Sequence, residues 1–483
     1  MVIIMDIKQI NEFLWEIKRD ENIGMNVPVR VYANNKIMES MKKDRTLSQA
    51  MNAASLPGIV KNMLIMPDGH EGYGSPIGGV AAFDANNGII SPGFVGFDIG
   101  CGVRLIKTNL TLKEIKPNLS KIMDALFKNV PSGVGSKINI NITEKDLDNV
   151  ARYGVEYLIE KDFAIDDDLD KIEEHGRIKD ADPDHVSDLA KKRGLHQLGT
   201  LGAGNHFLEL QIVEHIFDEK VAKIFGLFEG QVVIMLHSGS RGYGHQICSD
   251  SLRELVEYSK KENIELKDPE LAYAKVGSKE AEKYWHSMNS AINFSFSNRQ
   301  IMTYFIRKSF GDALGKSWDS LGMELVYDLS HNIAKLEEHN VDGKKMKVYV
   351  HRKGATRAFG PGREEITKEY RSIGQPVLIP GSMGTASYIL VGRKESMEET
   401  FGSSCHGAGR VMSRHQAIRE IPASKTLGDM ERRNIEVRVR SKKLISEEAE
   451  WAYKNVDDVV VSIAGAKISD IVAKMKPIGV TKG

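Results

Sequence analysis

The sequence predicts an α+β fold of mixed β-sheets with surrounding helices. Three observations carry that expectation. Six short runs rich in β-branched and aromatic residues read as strands. Five longer segments repeat apolar residues at a spacing of three or four, the period of a helix. The two kinds follow one another without the strict strand–helix–strand beat of a parallel sheet.

In chain order, helical periodicity covers 6–19, 143–160, 246–262, 279–310 and 456–473. The strand runs are HFLELQIV (206–213), QVVIML (231–236), MELVYDL (323–329), MKVYV (346–350), QPVLIP (375–380) and IEVRVR (435–440). Within 279–310, Trp285, Met288, Ile292, Phe296 and Met302 form a helical stripe, read as core rather than as a cofactor box. The polar region 140–195 reads as a helical insertion on the surface, and its acidic run DFAIDDDLDKIEEHG as a solvated face. No Pro, Ser or Gly run reads as a linker, and no repeat has a solenoid period.

At 483 residues and 41% hydrophobic, the chain can bury a large core. Lys plus Arg and Asp plus Glu both number 66, so a polyanionic partner must be met by a local basic patch and not by a global field. The three cysteines, Cys101, Cys248 and Cys405, are too few and odd in number for a disulfide framework and fit a reducing compartment. MVIIM is too short for a signal-peptide apolar region, and no apolar run approaches bilayer length, so a cytoplasmic protein without a membrane partner is expected. Charged residues reach 27%, with Lys and Glu interleaved, a composition seen in thermophiles.

Glycine marks where the chemistry lies. Residues 67–104 hold 10 of the 44 glycines, a density that signals tight loops whose amides can approach a ligand. Similar loops follow at GTLGAGNHF (199–207), HSGSRGYGH (237–245), FGPGR (359–363), PGSMGTASY (380–388) and FGSSCHGAGR (401–410). Four histidines recur in this setting: His206, His237, His331 and His406. A single histidine at a strand end can simply satisfy backbone groups. Three of them beside loops are what a metal site uses, because strands fix ligand geometry while loops leave coordination positions open. VGFDIGCG (95–102) adds Asp98 and Cys101, making five candidate ligands, enough for two ions that share a thiolate. His70 fits either a place behind that site or a structural role. His175, His185, His215, His339 and His415 read as surface or structural residues, and Cys248 and Cys405 as small buried hydrophobes.

VGFDIGCGVRL, GTLGAGNHFLEL, HSGSRGYG, SHNIAK and SSCHGAGR, with MPDGHEGYGSPIGGVAAF upstream, resemble the motifs of the RtcB family of RNA-splicing ligases in its archaeal form. The resemblance runs nearly end to end and implies one catalytic domain over 1–483. It implies joining of an RNA 2′,3′-cyclic phosphate or 3′-phosphate end to a 5′-hydroxyl end in tRNA splicing and RNA repair. GTP and two Mn²⁺ ions would serve as cofactors, RNA such as tRNA exon halves as partner, and an archease as activator. Carried over by motif, Asp98, Cys101, His206, His237 and His331 would be metal ligands, with Cys101 bridging. One ion would take Cys101, His237 and His331, and the other Asp98, Cys101 and His206. His406 would be the nucleophile that becomes guanylylated, leading to an RNA-3′-pp-5′-G intermediate. Asn205, Phe207, Glu209, Ser382, Ser387, Ala408, Gly409, Tyr453 and Lys482 would line the guanylate pocket. Phe97 and Glu71 depart from the pattern, where a smaller aliphatic residue and an amide are expected.

General chemistry supports these roles. A neutral imidazole can attack a nucleotide α-phosphate to form a labile phosphoramidate, and two cations around a phosphate neutralise charge for in-line displacement. Thiolate and imidazole suit Zn²⁺ as well as Mn²⁺, and only the resemblance selects manganese. Arg193, Arg241 and Arg410, in or beside the glycine loops, are candidates for RNA phosphate contacts or for surface ion pairs. The alternative reading is a binuclear metal-dependent phosphoesterase, which would use the Asp/His set without needing His406 or a guanine pocket. A lysine-nucleophile ligase is disfavoured, because neither Asp68-Gly69 nor Asp342-Gly343 follows a lysine in Lys-x-Asp-Gly. The C-terminal GVTKG would ordinarily be a frayed tail. Ile463, Ile468, Ile471, Val472 and Met475 suggest a docked helix before it, and the resemblance sets Lys482 and Glu209 against the guanine. Removing Lys482 is then expected to alter nucleotide choice with little loss of stability.

Overall fold

The strand runs assemble into two large mixed sheets in the structure, a computed structural model that describes residues 6–138 and 140–483. MVIIM lies outside the described residues. The first sheet runs in the order Ile7–Asn11, Leu14–Ile17, Val29–Tyr32, Ile59–His70, Ile77–Asp84, Lys344–Lys353, Asn332–Val341. The second runs Glu324–Ser330, Gly102–Thr111, Gln231–Ser238, Phe207–Ile216, Ser469–Lys482, Ser387–Gly392, Pro376–Ile379, with Glu436–Val439 added in parallel to Ser469–Lys482. All six strands expected from sequence are present. The fold is α+β.

The register of the second sheet is what builds the site. Gly102 pairs with both Ser330 and Ser238, while Val103 and Phe207 flank His237 on its two sides. Antiparallel pairing therefore brings the starts of two strands and the ends of two others to one edge. Cys101, His206, His237 and His331 stand at or next to those four strand ends.

Helix expectations hold unevenly. The Lys279–Leu314 helix is capped by the Ser278 side chain and ended by Gly315 in the left-handed region, and Met288, Ile292, Phe296 and Met302 are buried along it. Each such side chain contributes roughly 1.5–3 kcal/mol by leaving water. The helix expected over 246–262 starts earlier, at Arg241, and that over 143–160 breaks at Gly154 into Glu144–Tyr153 and Val155–Ile159. Residues 6–19 are not a helix. They form a hairpin, Ile7–Asn11 against Leu14–Ile17, in which the Asn11 side chain accepts from the Phe13 N–H and the Trp15 indole donates to the Ala33 carbonyl. Residues 456–473 are a helix only to Gly465; from Ser469 the chain is a strand buried between two neighbours, so Ile471, Val472 and Met475 are strand residues.

The 140–195 region consists of short helices, but its inner face is not at the surface. Leu147, Val150, Leu158 and Ile172 belong to the same buried cluster as Met288, Ile292 and Phe296. The acidic run is likewise only partly solvated. Asp166, Asp167 and Asp170 are exposed, whereas Asp168 is buried on Arg307, and Glu173 on Lys335 and Arg357. Carboxylates can enter a core when paired and hydrogen-bonded in this way.

Candidate functional site

At the shared edge, five side chains converge. Cys101 Sγ lies 3.3 Å from His206 Nε2 and 3.2 Å from His237 Nε2. His237 Nε2 is 3.3 Å from His331 Nε2, and Asp98 Oδ2 is 2.9 Å from His206 Nε2. The donors form two triads, Cys101–His237–His331 and Asp98–Cys101–His206, with Cys101 common to both and all donor atoms of a triad within 4.8 Å.

This donor set fits a pair of cations. His206 Nδ1 is 3.0 Å from the Leu201 carbonyl, which holds a proton on Nδ1 and leaves Nε2 facing Cys101 and Asp98. Burial, reinforced by neighbouring histidines, holds His237 and His331 well below the ordinary imidazole value, so both are neutral and able to ligate. Burial and the nearby Asp98 push the Cys101 thiol up. Burial also acts to raise Asp98, but the hydrogen bond and charge of His206 outweigh it and keep the carboxyl below its usual range. Lone pairs facing one another at such distances repel unless protons or cations lie between them, and thiolate, imidazole and carboxylate together suit a transition ion.

The long Lys279–Leu314 helix sets this geometry from behind through SFSNR (295–299). Asn298 Nδ2 donates to the carbonyls of Thr200 and Gly239, and its Oδ1 accepts from the N–H groups of Gly199 and Thr200. Arg299 Nη1 donates to the Gly100 and Ser238 carbonyls at 3.0 and 2.9 Å, while the rest of its guanidinium binds Asp328. Two adjacent side chains thus tie together the backbone next to Cys101, next to His237 and just before His206.

A cavity of about 290 Å³ opens over the triads. His406 enters it with its ring centroid 4.8 Å from that of His331. Behind His406, Asp68 Oδ2 lies 2.5 Å from Nδ1 and accepts from the backbone N–H groups of His406 and Gly407. The approach to Nδ1 lies off the hydrogen-bond axis, and the aligned bonds are those from the backbone. Burial opposes ionisation of Asp68, but His406 and Lys454 lower its carboxyl below the usual value. The loop can close this tightly only because residue 409 is glycine: at φ +74°, an added Cβ would lie 2.2 Å from the Asp68 carbonyl oxygen.

Asn205, Phe207, Ser382, Ala408, Gly409, Arg410, Tyr453 and Lys482 line the cavity with Asp98, Cys101, His237 and His331. Lys482 Nζ donates to the Gly204 carbonyl and to Glu448, and Arg410 donates to Glu448 and to the Tyr453 hydroxyl. Glu209 and Ser387 lie just beneath the lining, both bound by the Gln211 amide. Arg241 and Arg193 stay outside it. Arg241 is held by Thr200 and Gly133, and Arg193 is exposed on Gln246. Of the two departures, Phe97 lines the cavity, whereas Glu71 pairs with Arg45 on the surface.

A family model described as tRNA-splicing ligase RtcB matches residues 49–483. The chain belongs to the RtcB family. It is 52% identical over 480 residues to the tRNA-splicing ligase RtcB of Thermococcus kodakarensis, and 51% identical over 477 residues to that of Archaeoglobus fulgidus, with 99% of each chain covered in both cases. The tRNA-splicing ligase RtcB of Pyrobaculum aerophilum is 50% identical over 480 residues, again covering 99% of each chain. Among the described residues no helix is long and apolar enough to cross a membrane.

Several residues of this RtcB-family site escape a reading by motif. Asp68 sits in MPDGHEG, where His70 draws attention; His70 also lines the cavity, bonded to the Asp68 carbonyl. Glu448 has no local signature. Asn298 and Arg299 interrupt an apolar stripe, and that interruption was their signal.

Proposed function

We propose that this chain is a GTP- and Mn²⁺-dependent RNA ligase. It joins RNA ends bearing a 2′,3′-cyclic phosphate or 3′-phosphate to 5′-hydroxyl ends through guanylylated His406. Membership of the RtcB family supports ligase activity on RNA, and the relatives' names support tRNA exon halves as substrates. The observation that carries the finer reading is His406 in the cavity, backed by Asp68 and standing beside two triads that share Cys101. A phosphoesterase would need the triads but not this histidine. An archease activator follows from the family resemblance, and a cytoplasmic location from the sparse, odd cysteine set.

In this reading the His406 ring nitrogen remote from Asp68 attacks the α-phosphorus of GTP. A P–N bond forms and pyrophosphate leaves. Asp68 anchors the loop through the His406 and Gly407 N–H groups and offsets the positive charge that develops on the ring. An oxygen of the RNA 3′-phosphate then attacks the same phosphorus, the P–N bond breaks, and RNA-3′-pp-5′-G forms. The 5′-hydroxyl of the second RNA attacks the 3′-phosphorus, loses its proton and expels GMP. When bound, the two cations on Asp98, Cys101, His206, His237 and His331 neutralise phosphate charge and align the displacements. Lys482 would donate to the guanine oxygen, and Glu209 would accept from its ring N–H and amino group. Adenine would leave both groups unpaired.

Incubation with α-labelled GTP and Mn²⁺, followed by mapping of an acid-labile adduct, tests this. Wild-type protein should label on His406. His406→Ala should not label, yet should still join RNA whose 3′ end is already guanylylated. Wild-type labelling in His406→Ala would overturn the covalent role, and phosphate release without any adduct would favour the phosphoesterase.

A further inference from the structure

We infer that Tyr73, backed by Phe97, is a stacking platform for a nucleobase of an RNA end, placed on a part of the cavity lining that shares no hydrogen bond with Lys482. The inference rests on the ligase reading above and extends it to how the polymer substrate is held.

Tyr73 is 66% exposed at the lip of the cavity. Single exposed aromatics are ordinary and carry no meaning alone. What sets Tyr73 apart is how firmly its backbone is held. The ammonium of Lys353, a residue only 6% exposed, has no carboxylate partner among the described residues and donates instead to the carbonyls of Tyr73, Ser75 and Gly93. Gln49 pins Gly72 from the other side, accepting from its N–H and donating to its carbonyl. Gly74, at φ +70°, lies so close to Glu270 that an added Cβ would come within 2.8 Å of its backbone. The three bonds offset the cost of burying the ammonium, and they fix the backbone that carries Tyr73. Here they fix an aromatic ring in solvent. Phe97 meets it edge to face, with centroids 5.8 Å apart and planes at 84°, which limits the ring's rotation.

The location names the ligand. Lys482, Glu448, Arg410 and Tyr453 are linked by hydrogen bonds into one wall, the side assigned to the nucleotide. Tyr73, Phe97 and Lys353 line the same cavity but take no part in those bonds, and the Lys353 and Phe97 side lies next to Asp98. A ligase that holds its nucleotide on one part of the lining must admit polymer ends on another. Stacking on an aromatic face suits that task, since every base has a π-face and the contact tolerates any sequence. The base can belong to the 3′-phosphate strand or to the 5′-hydroxyl strand.

The test uses full-length protein with Mn²⁺. RNA affinity, KM and kcat are measured for wild type, Tyr73→Ala and Tyr73→Trp, with labelling by α-labelled GTP in parallel. RNA ends carry either a normal terminal base or an abasic terminal nucleotide, on the 3′-phosphate strand or the 5′-hydroxyl strand in turn. Tyr73→Ala should raise Kd and KM for base-bearing RNA roughly five- to hundredfold. On RNA made abasic in the stacked strand it should match wild type, and Tyr73→Trp should restore binding of the base-bearing RNA. The strand whose abasic form abolishes the difference is the one that stacks. Equal weakening on base-bearing and both abasic RNAs, or no weakening at all, overturns the platform while leaving the labelling intact. Failure of wild type to label would instead overturn the ligase reading, and the platform with it.

Discussion

Lys482 Nζ lies 3.1 Å from Glu448 Oε2, a salt bridge in which both side chains are 3% exposed. The penultimate residue is therefore the end of a central strand, with Thr481 paired to Leu208 and Lys482 itself to Val439. A buried pair at this strand end argues against the expectation from sequence that its loss would cost little stability. Lys482→Ala should destabilise by roughly 3 kcal/mol, the low end for breaking a buried pair, because Arg410 and Tyr453 still contact Glu448. Denaturant unfolding of Lys482→Ala, Glu448→Gln and the double variant checks this. The double variant should lose less than the sum of the singles. Equal stability of Lys482→Ala and wild type would show that the pair contributes nothing. In the proposed function, discrimination against ATP should fall as well.

Glu209 gives a pH signature. Burial pushes its carboxyl from 4.5 up to about 7. A carboxyl raised on folding binds its proton more tightly in the native state than in the unfolded chain. Its contribution to stability is therefore full below about 4.5 and lost as pH rises toward about 7. The loss amounts to about 3 kcal/mol. Glu209→Gln should remove this part of the slope when stability is compared with wild type from pH 4 to pH 8, on the order of the two values above. If the ionised carboxylate receives guanine, GTP affinity should strengthen through the same range in wild type and stay flat in Glu209→Gln.

The parts of the site legible in the sequence are those with local causes. His206, His237 and His331 lie beside runs of β-branched residues, and glycine-rich loops mark where the strands stop. What was not legible is non-local. Asp68 reaches His406 across 338 residues, and Glu448 reaches Lys482 across 34, with nothing in either neighbourhood to announce a partner. The strands Ile59–His70 and Ile77–Asp84 were hidden by Pro67 and by glycines that weaken strand patterns. At 6–19 and beyond Gly465, apolar spacing fitted a helix, but pairing with neighbouring strands decided the outcome.

Cysteine substitutions separate ligand from filler. Cys101→Ala should lower the metal retained after dialysis, measured by elemental mass spectrometry, because it removes the atom common to both triads. Cys248→Ala and Cys405→Ala, both buried and in neither triad, should keep that metal and cost roughly 1 kcal/mol through lost packing. A Cys101→Ala protein that still held two ions as firmly as wild type would return Asp98-x-x-Cys101 to a structural turn.

Arg299→Lys tests whether the long helix positions the candidate metal ligands or merely packs beneath them. The guanidinium reaches the Gly100 carbonyl, the Ser238 carbonyl and both oxygens of Asp328 at once. An ammonium keeps the charge but cannot span that fork. The backbone before Cys101 and after His237 would then lose its common tie, while Arg104 still neutralises Asp328. We expect Mn²⁺ affinity to fall roughly ten- to hundredfold, as is usual when a group behind metal ligands is removed. Stability should also fall, so binding must be titrated at a temperature where circular dichroism shows the variant fully folded. Under the proposed function, saturating Mn²⁺ should restore labelling of His406 in the folded variant, since His406 rests on Asp68 rather than on Arg299. Asn298→Ala, which frees the Gly199–Thr200 backbone from Gly239, should weaken metal binding by the same route. If Arg299→Lys unfolds at lower temperature yet binds metal with wild-type affinity while folded, the helix is scaffold only, and the ligand geometry is set by strand register alone.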